Sequence, residues 1–227
     1  MKYNYLVITL ASALALGACN KKADVDLSDD KNKLSYAIGF QVGSNLKAQE
    51  MDVNPDAIAE AIADVLADTK SKLTHEQMQA AMMNLQKKKM EAQQAKGDEN
   101  KKAGEAFLAE NKKKEGVKVT ESGLQYKVVE AGKGNNPKES DTVVVHYRGT
   151  LIDGTEFDSS YSRKQPATFK LGQVIKGWQE ALKLMKPGGK MHVAIPSDLA
   201  YGERGAGGKI GPNSTLLFEI NLIEVKK

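Results

Sequence analysis

Glycine and proline are distributed very unevenly along this chain, and that distribution limits what each half can fold into. Residues 20–115 contain four glycines and one proline, whereas residues 116–227 contain fifteen glycines and five prolines. The first half is rich in Ala, Lys, Glu and Gln, which favour helices, whereas Gly, Pro and β-branched residues favour sheets and turns. We therefore predict a helical first half and a sheet-rich second half, with the boundary near Gly116.

The first residues have the pattern of an export signal. Lys2 gives a basic start, and residues 6–16 are almost wholly apolar. This run is too short to span a bilayer, which needs about 20 residues, but it is typical of the apolar core of a secretory signal. The segment Leu16-Gly17-Ala18-Cys19 resembles the lipobox of bacterial lipoproteins, and Cys19 is the only cysteine of the chain.

This resemblance implies a signal peptide over residues 1–18 and a lipid on Cys19. Asn20 follows the cysteine, which resembles outer-membrane sorting, so we expect an exported lipoprotein that faces the periplasm or the cell surface. The membrane would then be reached through the lipid anchor only. The alternative is an ordinary signal with an incidental cysteine, which would give a soluble periplasmic protein.

Three helices fit the first half after the signal. Apolar residues from Leu34 to Leu46 recur at helical spacing, and Asn54-Pro55 is typical of an N-cap followed by proline at the first helical position. Thr74 and Gln77 have the spacing of a capping box, which predicts the start of a third helix.

The apolar faces of these helices are small for an independent core. We therefore predict a homodimerisation domain over residues 19–85, and the alternative is a monomeric helical subdomain docked on the second half. Residues 86–115 have almost no apolar face, which predicts a long, exposed helical linker that Gly97 and Gly104 make bendable.

Several kinds of chemistry are disfavoured. The formal net charge is only +4, so no nucleic-acid partner is predicted. The three histidines are far apart in sequence and there is a single cysteine, so no metal site is predicted. No GxSxG motif or phosphate-binding loop occurs, and we expect no cofactor.

Strand-like runs in the second half cover residues 124–129, 142–151, 190–195 and 215–225, and the run from Trp178 to Met185 has helical spacing. One short helix among antiparallel strands predicts an α+β domain with the helix packed in the concavity of the sheet. The aromatic residues of this half form either an ordinary core or a binding pocket.

Long motifs decide between those alternatives. The segments GTLIDGTEFDSSYSR, TFKLGQVIKGWQEALKLMKPGGK, IPSDLAYGERG and GPNSTLLFEINLIEV resemble, in order and spacing, the FKBP family of peptidyl-prolyl cis-trans isomerases over residues 116–227. The first half resembles the helical region of the Mip and FkpA branch, whose members are V-shaped homodimers. The resemblance implies a half-barrel sheet around the helix, preceded by an all-α dimerisation domain and a helical arm.

The resemblance also implies the site residues. Ile175 and Tyr201 would donate hydrogen bonds to substrate carbonyls, and Arg163 would pair with Asp158 or Tyr147. Ala167 and the loop 206–209 depart from well-known members. The implied catalytic residues are Asp158, Tyr201, Ile175 and Phe157, and the implied substrate-binding residues are Tyr147, Phe169, Val174, Trp178, Ile210, Phe218 and Arg163.

The implied function is isomerisation of X–Pro bonds in exported proteins, together with a folding-chaperone role. The partners would be proline-containing polypeptide clients, with rapamycin-type macrolides as inhibitors. The alternative is a holdase chaperone or surface binding protein in which the pocket only binds.

Overall fold

The computed structural model describes residues 24–227, so the predicted signal peptide and Cys19 lie outside the described residues. The chain divides into two compact units, one ending at Lys72 and the other beginning at Leu73. None of the described helices is both long enough and apolar enough to cross a membrane.

The described part of the first unit, residues 24–72, contains two helices, α1 (Asp30–Ala48) and α2 (Pro55–Leu66). The side chain of Asp29 caps α1, and the side chain of Asn54 accepts from the first N–H groups of α2. These bonds satisfy donors that have no partner inside a helix, so both helices begin where the caps predict. Neither helix contains a buried residue.

The second unit begins with one long helix, α3 (His75–Asn111). The predicted capping box is confirmed, because Thr74 accepts from the N–H of Gln77 and the Gln77 side chain accepts from the N–H of Thr74. The helix is continuous through residues 85 and 86, so the predicted boundary between dimerisation domain and linker falls inside α3.

A seven-stranded antiparallel sheet follows. The strand order is β1-β2-β6-β7-β3-β4, and β5 also pairs with β3. The strands are β1 (Lys118–Val119), β2 (Gln125–Glu130), β3 (Thr142–Leu151), β4 (Glu156–Ser159), β5 (Ala167–Lys170), β6 (Lys190–Ile195) and β7 (Leu216–Lys226).

The short helix α4 (Lys176–Lys183) packs against the sheet and completes the hydrophobic core. Its buried face consists of Gly177, Trp178, Ala181 and Leu182, and these side chains belong to one hydrophobic cluster with residues of the sheet. The α+β class is therefore confirmed. Three short 3-10 helices complete the unit, at Leu171–Gln173, Ser197–Leu199 and Gly202–Arg204.

The C-terminal half of α3 packs on this sheet domain. A Cβ atom added at Gly104 would lie 2.3 Å from the hydroxyl oxygen of Thr215, and one at Gly97 would lie 3.2 Å from a side-chain atom of Pro212. Between them, the amide of Asn100 donates to the carbonyl of Pro212 at 2.8 Å. The two glycines that the sequence marks as weak points of a free helix are therefore points of close contact, and both are buried.

Candidate functional site

A cluster of aromatic rings, which we call the aromatic pocket, lies between α4 and the sheet with Trp178 at its centre. The indole makes edge contacts with Tyr147, Phe169 and Phe218, at ring-centroid distances of 5.1, 5.5 and 5.2 Å. All three pairs are close to perpendicular, at 83–88°, which is a favourable arrangement for aromatic rings. Trp178, Tyr147 and Phe218 are buried, at 4%, 4% and 6% exposure.

Gly149 makes room for the next ring of the pocket. Phe157 packs edge-on against Phe218 at 5.5 Å. A Cβ atom at Gly149 on β3 would come within 2.6 Å of the Phe157 ring and 2.8 Å of the Phe218 ring. Only glycine leaves both rings in place, which explains the first glycine of the motif GTLIDGTEF.

The remaining apolar residues belong to the same cluster. Ile210 is buried, and Phe157, Phe169, Val174 and Ile175 are partly buried against it. Ile175 is the N-cap residue of α4, where main-chain N–H groups fall outside the helical hydrogen-bond pattern. The structure therefore brings together nearly all the apolar residues that the family resemblance implied.

A polar network forms the rim. The Tyr147 hydroxyl donates to one oxygen of Asp158, and Arg163 pairs with the other oxygen. A second guanidinium nitrogen of Arg163 donates to the Tyr147 hydroxyl at 2.8 Å. The sequence proposed Asp158 or Tyr147 as the partner of Arg163, and the structure shows both.

This network sets the ionisation of the rim. Partial burial of the Asp158 carboxyl opposes its ionisation, but hydrogen bonds from Tyr147 and Arg163 outweigh that effect and hold its pKa below the usual value. Burial, together with the hydrogen bond to Asp158, raises the pKa of Tyr147. At neutral pH the rim therefore consists of a carboxylate, a neutral phenol and a guanidinium.

Tyr201 is one of the more exposed of the predicted site residues. Its side chain is 42% exposed, and it immediately precedes the 3-10 helix Gly202–Arg204. Its main chain belongs to the loop that ends at Asn213, because the N–H of Asn213 donates to the carbonyl of Gly202 at 2.8 Å.

Sequence reasoning missed three contributors to the site. Ser160 is fully buried and bonds to the main chain of Tyr147, and Lys209 donates to the carbonyl of Glu156, beside Phe157, at 2.7 Å. The indole N–H of Trp178 is buried and has no partner among the described residues. The serine pair in DSSYS was the available signal for Ser160, whereas the other two depend on tertiary contacts.

No group of three or more His, Cys, Asp and Glu side chains among residues 24–227 could hold a metal ion. The site can instead exclude water from an apolar segment, contact it with ring edges, and orient it with a few donors.

Two family models together match most of the chain. The model for FKBP-type peptidyl-prolyl cis-trans isomerases matches residues 133–223, and the model for the domain amino-terminal to such isomerases matches residues 31–128. The outer membrane protein MIP of Legionella longbeachae is 48% identical over 225 residues, covering 97% of this chain and 95% of that protein. The peptidyl-prolyl cis-trans isomerase Mip of Coxiella burnetii is 41% identical, and the match covers 98% of this chain and 98% of that protein.

A solved structure is similar as well. The crystal structure of FkpA from Escherichia coli matches with a TM-score of 0.66 and 41% identity, covering 87% of this chain and 97% of that one.

Proposed function

This chain belongs to the family of FKBP-type peptidyl-prolyl cis-trans isomerases and is an isomerase of X–Pro bonds in proline-containing polypeptides, and we propose that the reaction takes place in the aromatic pocket around Trp178. One observation supports this location most strongly. Three aromatic rings surround one buried indole between α4 and the sheet, and such an apolar aromatic surface suits a proline ring.

The chemistry explains why the pocket needs no nucleophile. Rotation about an X–Pro bond breaks amide resonance, with a barrier of about 18–20 kcal/mol. The twisted transition state has lost the charge separation of the planar amide, so an apolar, water-excluding site favours the twisted state over the planar one. We assign Trp178 as the floor under the proline ring, and Tyr147, Phe157, Phe169 and Phe218 as walls.

Donors at the pocket mouth hold the flanking carbonyls. The N–H of Ile175, at the N-cap of α4, and the exposed hydroxyl of Tyr201 are the groups we assign to this task. Val174 and Ile210 complete the apolar lining beside them. Positioned donors that match the twisted geometry lower the barrier without proton transfer.

Asp158 fixes the rim and adds a negative charge at the pocket edge. Because its pKa is held below the usual value, it stays ionised throughout the neutral range. Its two oxygens are bonded to Tyr147 and Arg163, so it orients one wall of the pocket and one exposed cation together. We therefore group Asp158 with Phe157, Ile175 and Tyr201 as catalytic residues.

Mild substitutions test this location. Asp158→Asn and Phe157→Tyr keep side-chain volume and change charge or polarity. We expect Asp158→Asn to lower kcat/KM for a proline peptide by about fivefold or more while Tm changes by only a few degrees. A folded double variant with unchanged kcat/KM would show that these residues are structural. Glu139→Gln is the matched control, because the exposed carboxylate of Glu139 also pairs with a cation, Lys183, but takes no part in the rim network.

We propose further that the first unit forms a homodimer. A groove of about 790 Å³ between α1 and α2 is lined by apolar residues, among them Ile38, Val42, Ile58 and Ile62. No residue of either helix is buried, so these helices have no core of their own. A second copy presents the same apolar faces and supplies the missing contacts.

We propose export and a lipid anchor on Cys19 as well. The observations in favour are the lipobox-like segment LGAC after a short apolar run and the similarity to a protein named as an outer membrane protein. Cells grown with labelled palmitate should label the wild type and leave Cys19→Ser unlabelled. Equal label in both would contradict the anchor and leave the soluble periplasmic form.

A chaperone role is the second function we propose, and one surface favours it. Met78, Met82, Met83 and Met90 on α3 are 41–71% exposed, and flexible thioether side chains suit adaptable apolar binding. Suppression of client aggregation by a variant with an inactive pocket would separate holdase activity from isomerisation.

Rapamycin-type macrolides remain the proposed inhibitors, with Ala167 and the loop 206–209 as the positions that set their affinity.

A further inference from the structure

The strand pairing along one edge of β3 is interrupted beside the pocket. On this edge β5 pairs with β3 as far as Val145, and β4 pairs with it from Arg148 onward. Tyr147 lies in the gap between the two strands. Because Tyr147 is only 4% exposed, its main-chain N–H and C=O need partners inside the protein.

Ser160 fills this gap with both its main chain and its side chain. Its N–H donates to the carbonyl of Tyr147 at 3.0 Å, as a strand residue would. The return bond of a strand pair is absent, because the carbonyl of Ser160 accepts instead from Gln165 at 3.3 Å. The N–H of Tyr147 donates to the Ser160 hydroxyl at 2.8 Å, so the hydroxyl takes the place of a strand carbonyl.

These hydrogen bonds connect two parts of the rim through Ser160. The bond from Gln165 to Ser160 closes the loop 160–165, which carries Arg163. The bonds from Ser160 to Tyr147 hold the strand that carries the phenol. The Ser160 hydroxyl also lies 3.0 Å from Nδ1 of His146, whose ring stacks on Tyr161.

We infer that Ser160 is a positioning residue for the isomerase reaction. Its hydroxyl fixes the main chain of Tyr147 and thereby keeps the phenol hydroxyl in contact with Asp158 and Arg163. Without that hydroxyl the buried N–H of Tyr147 loses its acceptor, and the strand edge shifts to recover one. This inference rests on the proposed catalytic pocket.

The neighbouring serine provides a matched control. Ser159 is also buried, at 4% exposure, but its hydroxyl accepts from the N–H groups of Tyr161 and Ser162 rather than from Tyr147. Ser159→Ala therefore removes a buried hydroxyl at the end of β4, next to Ser160, and leaves the bond to Tyr147 intact.

The test is a double-mutant cycle in the full mature chain. Ser160→Ala and Ser159→Ala are each made in the wild type and in Tyr147→Phe, and kcat/KM is measured for a proline peptide. We expect Ser160→Ala to lower kcat/KM about tenfold in the wild type, and Ser159→Ala to change it less than about twofold. In Tyr147→Phe, which lacks the phenol hydroxyl, Ser160→Ala should cause little further loss.

Two results would overturn the inference. One is an equal fold-loss from Ser160→Ala in both backgrounds, because a general loss of packing does not depend on the Tyr147 hydroxyl. The other is an equal loss from Ser159→Ala. If Ser160→Ala does not fold, Ser160→Cys keeps the volume and replaces the hydroxyl with a weak acceptor, and the same cycle applies. The Asp158 and Phe157 variants test the pocket itself, so failure of the pocket and failure of this inference give different results.

Discussion

The two units of this chain use apolar residues in opposite ways. In the second unit, Leu124, Leu182 and Leu216 are fully buried in a single core. In the first unit, Ile38, Phe40 and Leu66 are 58%, 66% and 81% exposed. The sheet domain therefore obtains its stability within one chain, whereas the described helices of the first unit leave their apolar faces uncovered. In the proposed homodimer, the stability of the helical unit would depend on protein concentration.

The largest effect should come from the core of the sheet domain. Leu182 is fully buried on α4, so Leu182→Ala should cost about 2–5 kcal/mol of unfolding free energy. Urea unfolding followed by Trp178 fluorescence measures this at two protein concentrations, and the loss should be the same at both. Leu184→Ala, at a position 42% exposed, is the control and should change stability by less than about 0.5 kcal/mol. A concentration-dependent loss would contradict the contrast between the units.

The next effect concerns association of the helical unit. Ile38→Asp places a charge in the apolar groove between α1 and α2, and it should weaken the dimer at least about a hundredfold, or roughly 2.7 kcal/mol. Sedimentation equilibrium measures the association, with the exposed residue Gln41→Asp as control. Unfolding of the sheet domain should stay unchanged. A wild-type chain that is monomeric at micromolar concentration would refute the dimer.

Replacing the glycines of α3 should have a smaller effect on stability, and the sign of that effect distinguishes a docked helix from a free one. In a free helix, Gly104→Ala would stabilise by about 1 kcal/mol. Here the added Cβ would lie 2.3 Å from Thr215, so the substitution should instead destabilise the docked helix by about 1–3 kcal/mol. Amide hydrogen exchange along α3 measures the change.

Gly97→Ala is the milder variant for comparison. Its Cβ would meet Pro212 at 3.2 Å, so it should destabilise the docked helix less than Gly104→Ala does. Slower exchange in both variants would mean that this part of α3 is free, in agreement with the exposed linker predicted for residues 86–115.

The smallest effect is a pH dependence at the rim. The folded-state pKa of Asp158 lies below its unfolded value, so its contribution to stability is present above about pH 4 and is lost as the pH falls through the folded value. Because the side chain is 43% exposed, solvent screening limits this contribution to under about 1 kcal/mol. The stability difference between wild type and Asp158→Asn should therefore narrow between pH 6 and pH 3. A difference that does not change with pH would contradict the linkage.

The sequence predicted the regular elements well where local pattern determines them. The predicted strands at residues 142–151 and 190–195 coincide with β3 and β6, and the capping box begins α3 as predicted. The strands β4 and β5 were not predicted. Each has only four residues, too few for an alternating pattern, and each exists because β3 offers an edge with which to pair.

The pocket itself came from the family resemblance rather than from composition. Aromatic residues alone are compatible with an ordinary core, and only the ordered motifs separated the alternatives. Ser160 shows what both approaches miss, because its hydroxyl is important only where a strand edge is interrupted, and that interruption is a property of the folded sheet.

The docking of α3 has a mechanical consequence. Its close contacts at Gly97 and Gly104 are separated by about 10.5 Å along the helix axis, so the helix is clamped at two points and cannot swivel about either one. Residues 75–96 project beyond the clamp for about 33 Å. Both contacts are made with residues 212–215, which closely follow Ile210 of the hydrophobic cluster. A torque applied to residues 75–96 would therefore act on the chain segment next to the pocket.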